Sequence, residues 1–298
     1  MCGRTIILCG FWLAFGFFTN ADAMAGDPFV DAVKAVETGA NAGFGADKLP
    51  RRVFGPPRGR GLLIGSTHVY SLGHGGKITI AFNDNIVVDG PGPDLAIYEN
   101  AFHVGSETGP LFIEFAIVEV SSDNRAWHRF PFDPETGEGL AGQVAVLSRP
   151  GNGLNPLDAA SGGDRFDLAD LGLDMIRFVR VIDAGDDVDD FGNMVPPGDK
   201  GGFDLDAMAA INSSSPATVY GTVSDAGAAV AGVKVRLVPS DGSRKKRRFT
   251  NSEGTYRFRR VLPVGDHELR VRTPGGSATQ PIYIDLEQLS VEADLVLQ

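Results

Sequence analysis

Cysteine is nearly missing from this chain: Cys2 and Cys9 are the full complement, and both fall in an N-terminal apolar stretch. Removal of that stretch would leave no thiol, which excludes disulfides, cysteine nucleophiles and Cys-ligated zinc. Histidine is also scarce. His68 and His74 stand six apart, and His103, His128 and His267 are isolated, so no HExxH or similar zinc pair exists. The sequence contains no G-x-S-x-G elbow, no P-loop and no G-x-G-x-x-G between a strand and a helix. Long amphipathic helical patterns are missing as well, and helix is expected to be scarce.

Only one apolar run stands out. It spans Thr5 to Phe18 behind Arg4 and ends in small residues, Ala21-Asp22-Ala23 and Ala23-Met24-Ala25, the pattern of a secretory signal peptide over residues 1–25, cut near 23–25. A retained N-terminal anchor is the alternative. The run is short for a membrane span, no second run follows, and the mature chain is expected to have no transmembrane segment. The location this predicts is secreted, periplasmic or cell-surface.

What is present is turn chemistry and alternation. Thirty-nine Gly, 18 Pro and 19 Phe among 298 residues, with 43% hydrophobic and 22% charged residues, fit many short strands joined by tight turns. The fold class predicted is all-β. Strands are expected at residues 67–72, 77–82, 95–99, 112–120, 127–130, 175–183 and 203–211, spaced as in an antiparallel sandwich. One short helix is expected after Asp27-Pro28, with Phe29, Val30, Val33 and Val36 on one face. Trp127 reads as a core aromatic behind a turn at Ser121-Ser122-Asp123-Asn124.

Charge divides the chain. Residues 216–298 hold 12 Lys/Arg and 9 Asp/Glu, leaving 15 basic and 29 acidic residues for the rest, so +3 stands against −14. The acidic part suits cations and is a poor match for a polyanion, and no nucleic-acid partner is expected for it. With a polar linker at Ser213-Ser214-Ser215-Pro216, the division predicts domains at 26–213 and 216–298.

The acids have a pattern. Period-two alternation places Glu99 at the end of the stripe Leu95, Ile97, and Asp183 at the end of Val179, Val181; Asp204 and Asp206 share one face of their strand. Carboxylates at the ends of buried stripes need a cation or hydrogen bonds. Asp89, Asp94, Glu99, Asn100, Asp183, Asp204 and Asp206 offer the oxygen donors that calcium takes. The same residues could act purely as N-caps and Asx-turns, and both readings stay open. Asp167 is read as a turn cap. The acidic segment 184–199 lacks EF-hand spacing and is read as a solvated loop. Glu99 and Glu114 could in principle serve a glycosidase, but nothing in their spacing selects them.

Two resemblances follow from motifs. GFGADKLP, GPPRGRG, GSTHVYSLGHGGKITIAF, DGPGPDLAIYEN, VEVSSDNRAW, SGGDRFDLADLGL, FVRVID and GFDLDAMAAIN, between Asp27 and Asn212, resemble bacterial secreted or cell-surface proteins with a jelly-roll domain like the galactose-binding and discoidin modules. That resemblance implies a jelly-roll β-sandwich, calcium, and binding of a glycan or cell-envelope protein; it implies no reaction. A polysaccharide hydrolase and an envelope scaffold without a small ligand are the alternatives.

The C-terminal part alternates strands with Asp-Gly and Glu-Gly turns, which suggests a smaller Ig-like sandwich. Gly221, Val223, Gly232, Val233, Val235, Thr250, Gly254, Tyr256, Phe258, Leu262, Pro263, Gly265 and Val271 resemble the carboxypeptidase regulatory-like, transthyretin-like domain; His267 departs from the family's usual Tyr. Such domains carry no catalysis. Related Cna-B modules form Lys-Asn isopeptide bonds, but Lys234 shares a face with Arg236 and reads as solvent-exposed. The run Arg244-Lys245-Lys246-Arg247-Arg248 reads as a solvated hairpin connection, with electrostatic contact to anionic lipid, glycan or nucleic acid as the alternative.

Overall fold

A computed structural model describes residues 26–133, 136–184, 202–240, 244–261, 265–285 and 288–298. The proposed leader and almost all of the acidic segment 184–199 lie outside them. The described chain is all-β, as expected: strands and turns, interrupted by three short 3₁₀ turns at Ala46–Lys48, Ala159–Ser161 and Leu168–Leu171. Among the described residues no helix is long and apolar enough to cross a membrane.

The acidic part is built on a five-stranded antiparallel sheet in the order Ala32–Glu37, Lys77–Ala81, Phe178–Asp183, Ala116–Ser121, His128–Arg129. A three-stranded sheet of Asp164–Phe166, Leu95–Tyr98 and Ala207–Ala210 contributes to the same core. Ile78, Ile80, Val118, Val120, Val179 and Val181 from the first meet Leu95, Ile97, Phe166, Met208 and Ala210 from the second. Both sets follow the period-two alternation of a strand, and burial of these apolar side chains is the main stabilising term. The other face of the small sheet is covered too: Ala96, Tyr98, Ala207 and Ala209 pack with Phe29 and Val146.

The helix expected after Asp27 does not form. Asp27 Oδ1 instead accepts from Phe29 N at 2.9 Å, and Ala32–Glu37 pairs antiparallel with Lys77–Ala81. The register shifts between Val33 and Ala35. Such a bulge inserts one extra residue, so Val33 and Val36 both pack on the core. An i, i+3 spacing that resembled a helix is a bulged strand.

Two further expectations need correction. Ser213–Ser214 is not a linker but a short strand paired with Ile86–Val88. Trp127 is half-buried on the outside of the large sheet, with the Arg180 guanidinium 3.8 Å from its ring centroid. The turn before it forms as expected, with Asp123 Oδ1 accepting from Arg125 N and Ala126 N.

The C-terminal part has its own core of Val219, Val223, Val235, Leu237, Tyr256, Phe258, Leu269 and Val271, among others. Ala217–Asp225 pairs with Thr255–Val261 and, in parallel, with Ser290–Glu292 and Leu295–Val296. A four-stranded sheet runs Lys246–Phe249, Lys234–Pro239, Gly265–Thr273, Gly276–Ile284. Gly221 is required by contact: a Cβ there would lie 1.8 Å from Ala293 O. The basic run, expected to be a connection, supplies the edge strand Lys246–Phe249.

Candidate metal centre

Asp94 and Glu99 flank the strand Leu95–Tyr98. Five residues at about 3.3 Å each separate them by roughly 16 Å, too far for one ion. The seven acids and amides singled out from the sequence therefore divide between two ends of the small sheet.

At the first end, Asp89, Asp94 and Asp167 each place one oxygen within 4.8 Å of the others. Backbone already occupies much of this group. Asp94 Oδ1 accepts from Gly90 N at 2.9 Å and Asn212 Nδ2 at 2.7 Å, and Oδ2 from Leu168 N at 2.8 Å. Asp167 Oδ1 caps the turn at Ala169 N, 2.9 Å, as expected of it. Asp89 is exposed, and slight desolvation together with the charges of Asp94, Asp167 and Asp174 raises its pKa. The Asp167 bond is an Asx-type cap, and those of Asp94 tie three separate loops together.

The second end is different. Glu99 has no exposure, and neither carboxylate oxygen has a hydrogen-bond partner. Asn100 Nδ2 donates to Asp204 Oδ2 at 3.2 Å, while its Oδ1 is buried and unpartnered. Glu114 Oε1 accepts from Gly202 N at 3.1 Å. Gly202 has φ of 100°, and a Cβ there would lie 2.3 Å from the backbone of Gly73. Only glycine brings that N–H to Glu114.

Burial raises every pKa in this group. Desolvation, then the charges of Glu114 and Asp204, pushes Glu99 well above the carboxylate range, opposed by the nearby Asn100 backbone N–H, which does not reach hydrogen-bond geometry. Burial, reinforced by Asp204, lifts Glu114 to about 9. Asp204 rises to about 6 by burial, opposed by hydrogen bonds from Ser71 and Asn100. Asp164 rises to about 7 by burial although Gly142 N and Gln143 N donate to it at 2.7 and 3.1 Å.

Two of the seven serve the backbone or a histidine. Asp183 accepts from Gly75 N at 2.8 Å and Phe203 N at 2.7 Å, tying two loops beside Glu114. Asp206 accepts from Arg58 N at 2.6 Å and lies 3.4 Å from His68 Nδ1; burial, its largest influence, raises its pKa.

The donors at the second end are carboxylate and amide oxygens, a set that fits calcium in its flexible 6- to 8-fold coordination. Glu99, Glu114 and Asp204 do not meet the 4.8 Å mutual spacing of the first group. A neighbouring cleft of about 390 Å³, lined by Leu140, Gln143, Asp164, Arg165 and Asp170 among others, reaches Asp164. Nothing in the sequence spacing selected Glu114 over the other acids. Residues 113–115 leave the ladder, and all three are buried.

Residues 218–298 match the carboxypeptidase regulatory-like domain; the rest of the chain lies outside that match. No curated protein matches the chain. Among solved structures, the major pilin subunit BcpA of Bacillus cereus, as its D312A variant, is 10% identical, over 80% of this chain and 66% of that one, with a TM-score of 0.29. The group B streptococcus pilus 2b backbone protein is 12% identical, over 82% and 98%, at 0.25. The dioxygenase domain of a carbohydrate-binding fusion from Streptomyces sp. SirexAA-E is 17% identical, over 28% and 80%, at 0.24. Likeness at these scores carries no functional argument.

Proposed function

We propose that this chain is an extracytoplasmic, non-catalytic binding protein of a bacterial cell envelope, with a larger sandwich locked by calcium at Glu99, Asn100, Glu114 and Asp204. The observation that carries this reading is Glu99, a carboxylate without exposure or hydrogen bond beside the buried Glu114 and the half-buried Asp204. An unpaired buried charge costs several kcal/mol. A divalent cation removes that cost for all three acids together, and oxygen donors without nitrogen or sulfur favour calcium over zinc.

Burial also favours a structural ion over a reacting centre, since a substrate has no path to a side chain without exposure. Recognition then falls to surface loops and faces, with a glycan or an envelope protein as partner, and the N-terminal apolar run supports export. A thermal melt in EDTA and in calcium tests the ion. Calcium at a hundred times its Kd adds about 2.7 kcal/mol, and melting points that coincide in the two buffers would sink the proposal.

One observation favours a second reading. Glu114 and Asp164, with pKa values of about 9 and about 7, hold protons near neutrality as a general acid must, and Asp164 lines a cleft. A polysaccharide hydrolysis screen decides it: product that disappears with Asp164→Asn would establish an enzyme.

A further inference from the structure

The outer face of the C-terminal four-stranded sheet is a grid of cations. Val235, Leu237, Leu269 and Val271 point into the core, so alternation turns Lys234, Arg236, Arg270 and Arg272 outward. Arg236 stands opposite Arg247 on one neighbouring strand and Arg270 on the other. Lys234 stands opposite Phe249, which is 58% exposed. Two acids share the face among the described residues. Glu268 is bonded to Arg270, and Asp266 lies at the strand's far end opposite Tyr283. Beside the grid is a hollow of about 600 Å³ lined by Arg236, Arg244, Lys245, Lys246, Arg247 and Arg248.

Protection of a sheet edge explains part of this. Lys and Arg on an edge strand block pairing with other chains, which accounts for Lys246–Phe249. It does not account for Lys234, Arg236, Arg270 and Arg272, which sit on the two central strands. Like charges directly opposite one another destabilise a sheet, and here three arginines form one row. An anionic partner would offset that cost.

We propose that this face binds a linear polyanionic polysaccharide bearing carboxylate, sulfate or phosphate groups. Cations recur at about 4.8 Å across strands and about 6.6 Å along them, a repeat that a repeating anion matches and a single small anion does not. Arginine's planar fork suits such oxyanions. Phe249 and, at the far end, Tyr283 are the exposed aromatic rings of this face, too few and too far apart for the successive stacking that single-stranded nucleic acid uses. The choice of a polysaccharide rests on the extracytoplasmic reading; it does not depend on calcium.

The test uses the full mature chain in EDTA, with heparin and polygalacturonate as probes and dextran and double-stranded DNA as comparators. Binding to both polyanionic glycans at 50 mM NaCl, lost by 500 mM and not seen with dextran, is expected. Arg236→Gln/Arg247→Gln/Arg270→Gln should weaken it at least tenfold without lowering the melting point, while Arg149→Gln, an exposed arginine of the other sandwich, leaves it unchanged. Equal binding by the triple variant, no binding to either glycan by the wild type, or tighter binding to DNA would each overturn the proposal. Low-salt self-association that the triple variant abolishes, without glycan binding, would also overturn it and make a second copy of this chain the partner. Because the assay runs in EDTA, failure of the calcium reading leaves its outcome untouched.

Discussion

Asp94 and Glu99 bracket one four-residue strand, yet Asp94 accepts three hydrogen bonds and Glu99 accepts none. The two carboxylates are buried alike and stabilised in opposite ways. Asp94 has its compensation within the fold; Glu99 requires it from a proton or a cation.

Asp94→Ala should therefore be costly whatever ion is present. It removes bonds to Gly90 N, Leu168 N and Asn212 Nδ2 and leaves buried donors unpaired, a loss of about 3 kcal/mol or more. Urea denaturation in EDTA and in calcium should give the same difference from wild type in both.

Glu119 supplies the contrast. It bonds Arg129 at 2.7 Å and Arg180 at 3.0 Å, and these lower its pKa against the opposing effect of desolvation. Arg129 is half exposed, but Glu119 is itself buried and holds two guanidiniums, so the pair is worth more than an isolated surface pair. Glu119→Gln, which keeps one acceptor and loses the charge, is expected to cost about 1 to 2 kcal/mol, less than Asp94→Ala, read from the same denaturation curves.

The pH dependence without calcium follows from the raised acids. Glu114, Asp164 and Asp204 hold protons up to about 9, 7 and 6 in the fold, whereas the unfolded chain releases them near the ordinary carboxylate range. The folded state binds more protons, so stability falls as pH rises. Their contribution is complete below about pH 4 and is lost progressively from there, for Asp204 by about pH 6, for Asp164 by about pH 7 and for Glu114 by about pH 9. Calcium needs the deprotonated acids and should flatten or reverse that slope. Denaturation at pH 5, 7 and 9, with and without EDTA, measures both slopes.

Much of this was legible from alternation. Period two placed Glu99 inside with Leu95 and Ile97, and located the strands around Lys77–Ala81, Leu95–Tyr98 and Phe178–Asp183. It failed where the backbone leaves its period. The bulge near Lys34 gave Val33 and Val36 a helical spacing, and residues 113–115 leave the ladder with Glu114 buried, a placement that no spacing reports. The basic run looked like a connection because charge suggests solvent. Strand pairing, which sequence spacing alone does not report, put Arg247 opposite Arg236. Nor could spacing divide the acids between caps and the group around Glu99, since that depends on which backbone N–H groups reach them.

Glu99→Gln isolates the central claim. It keeps the side-chain shape and removes the buried charge, so in EDTA at pH 8 the variant should be at least as stable as wild type. Calorimetric titration of calcium into chelator-treated protein is the direct measurement: the account predicts one ion per wild-type chain and none for Glu99→Gln. A wild type that takes up no calcium, or a Glu99→Gln variant that binds it equally well, would contradict the account.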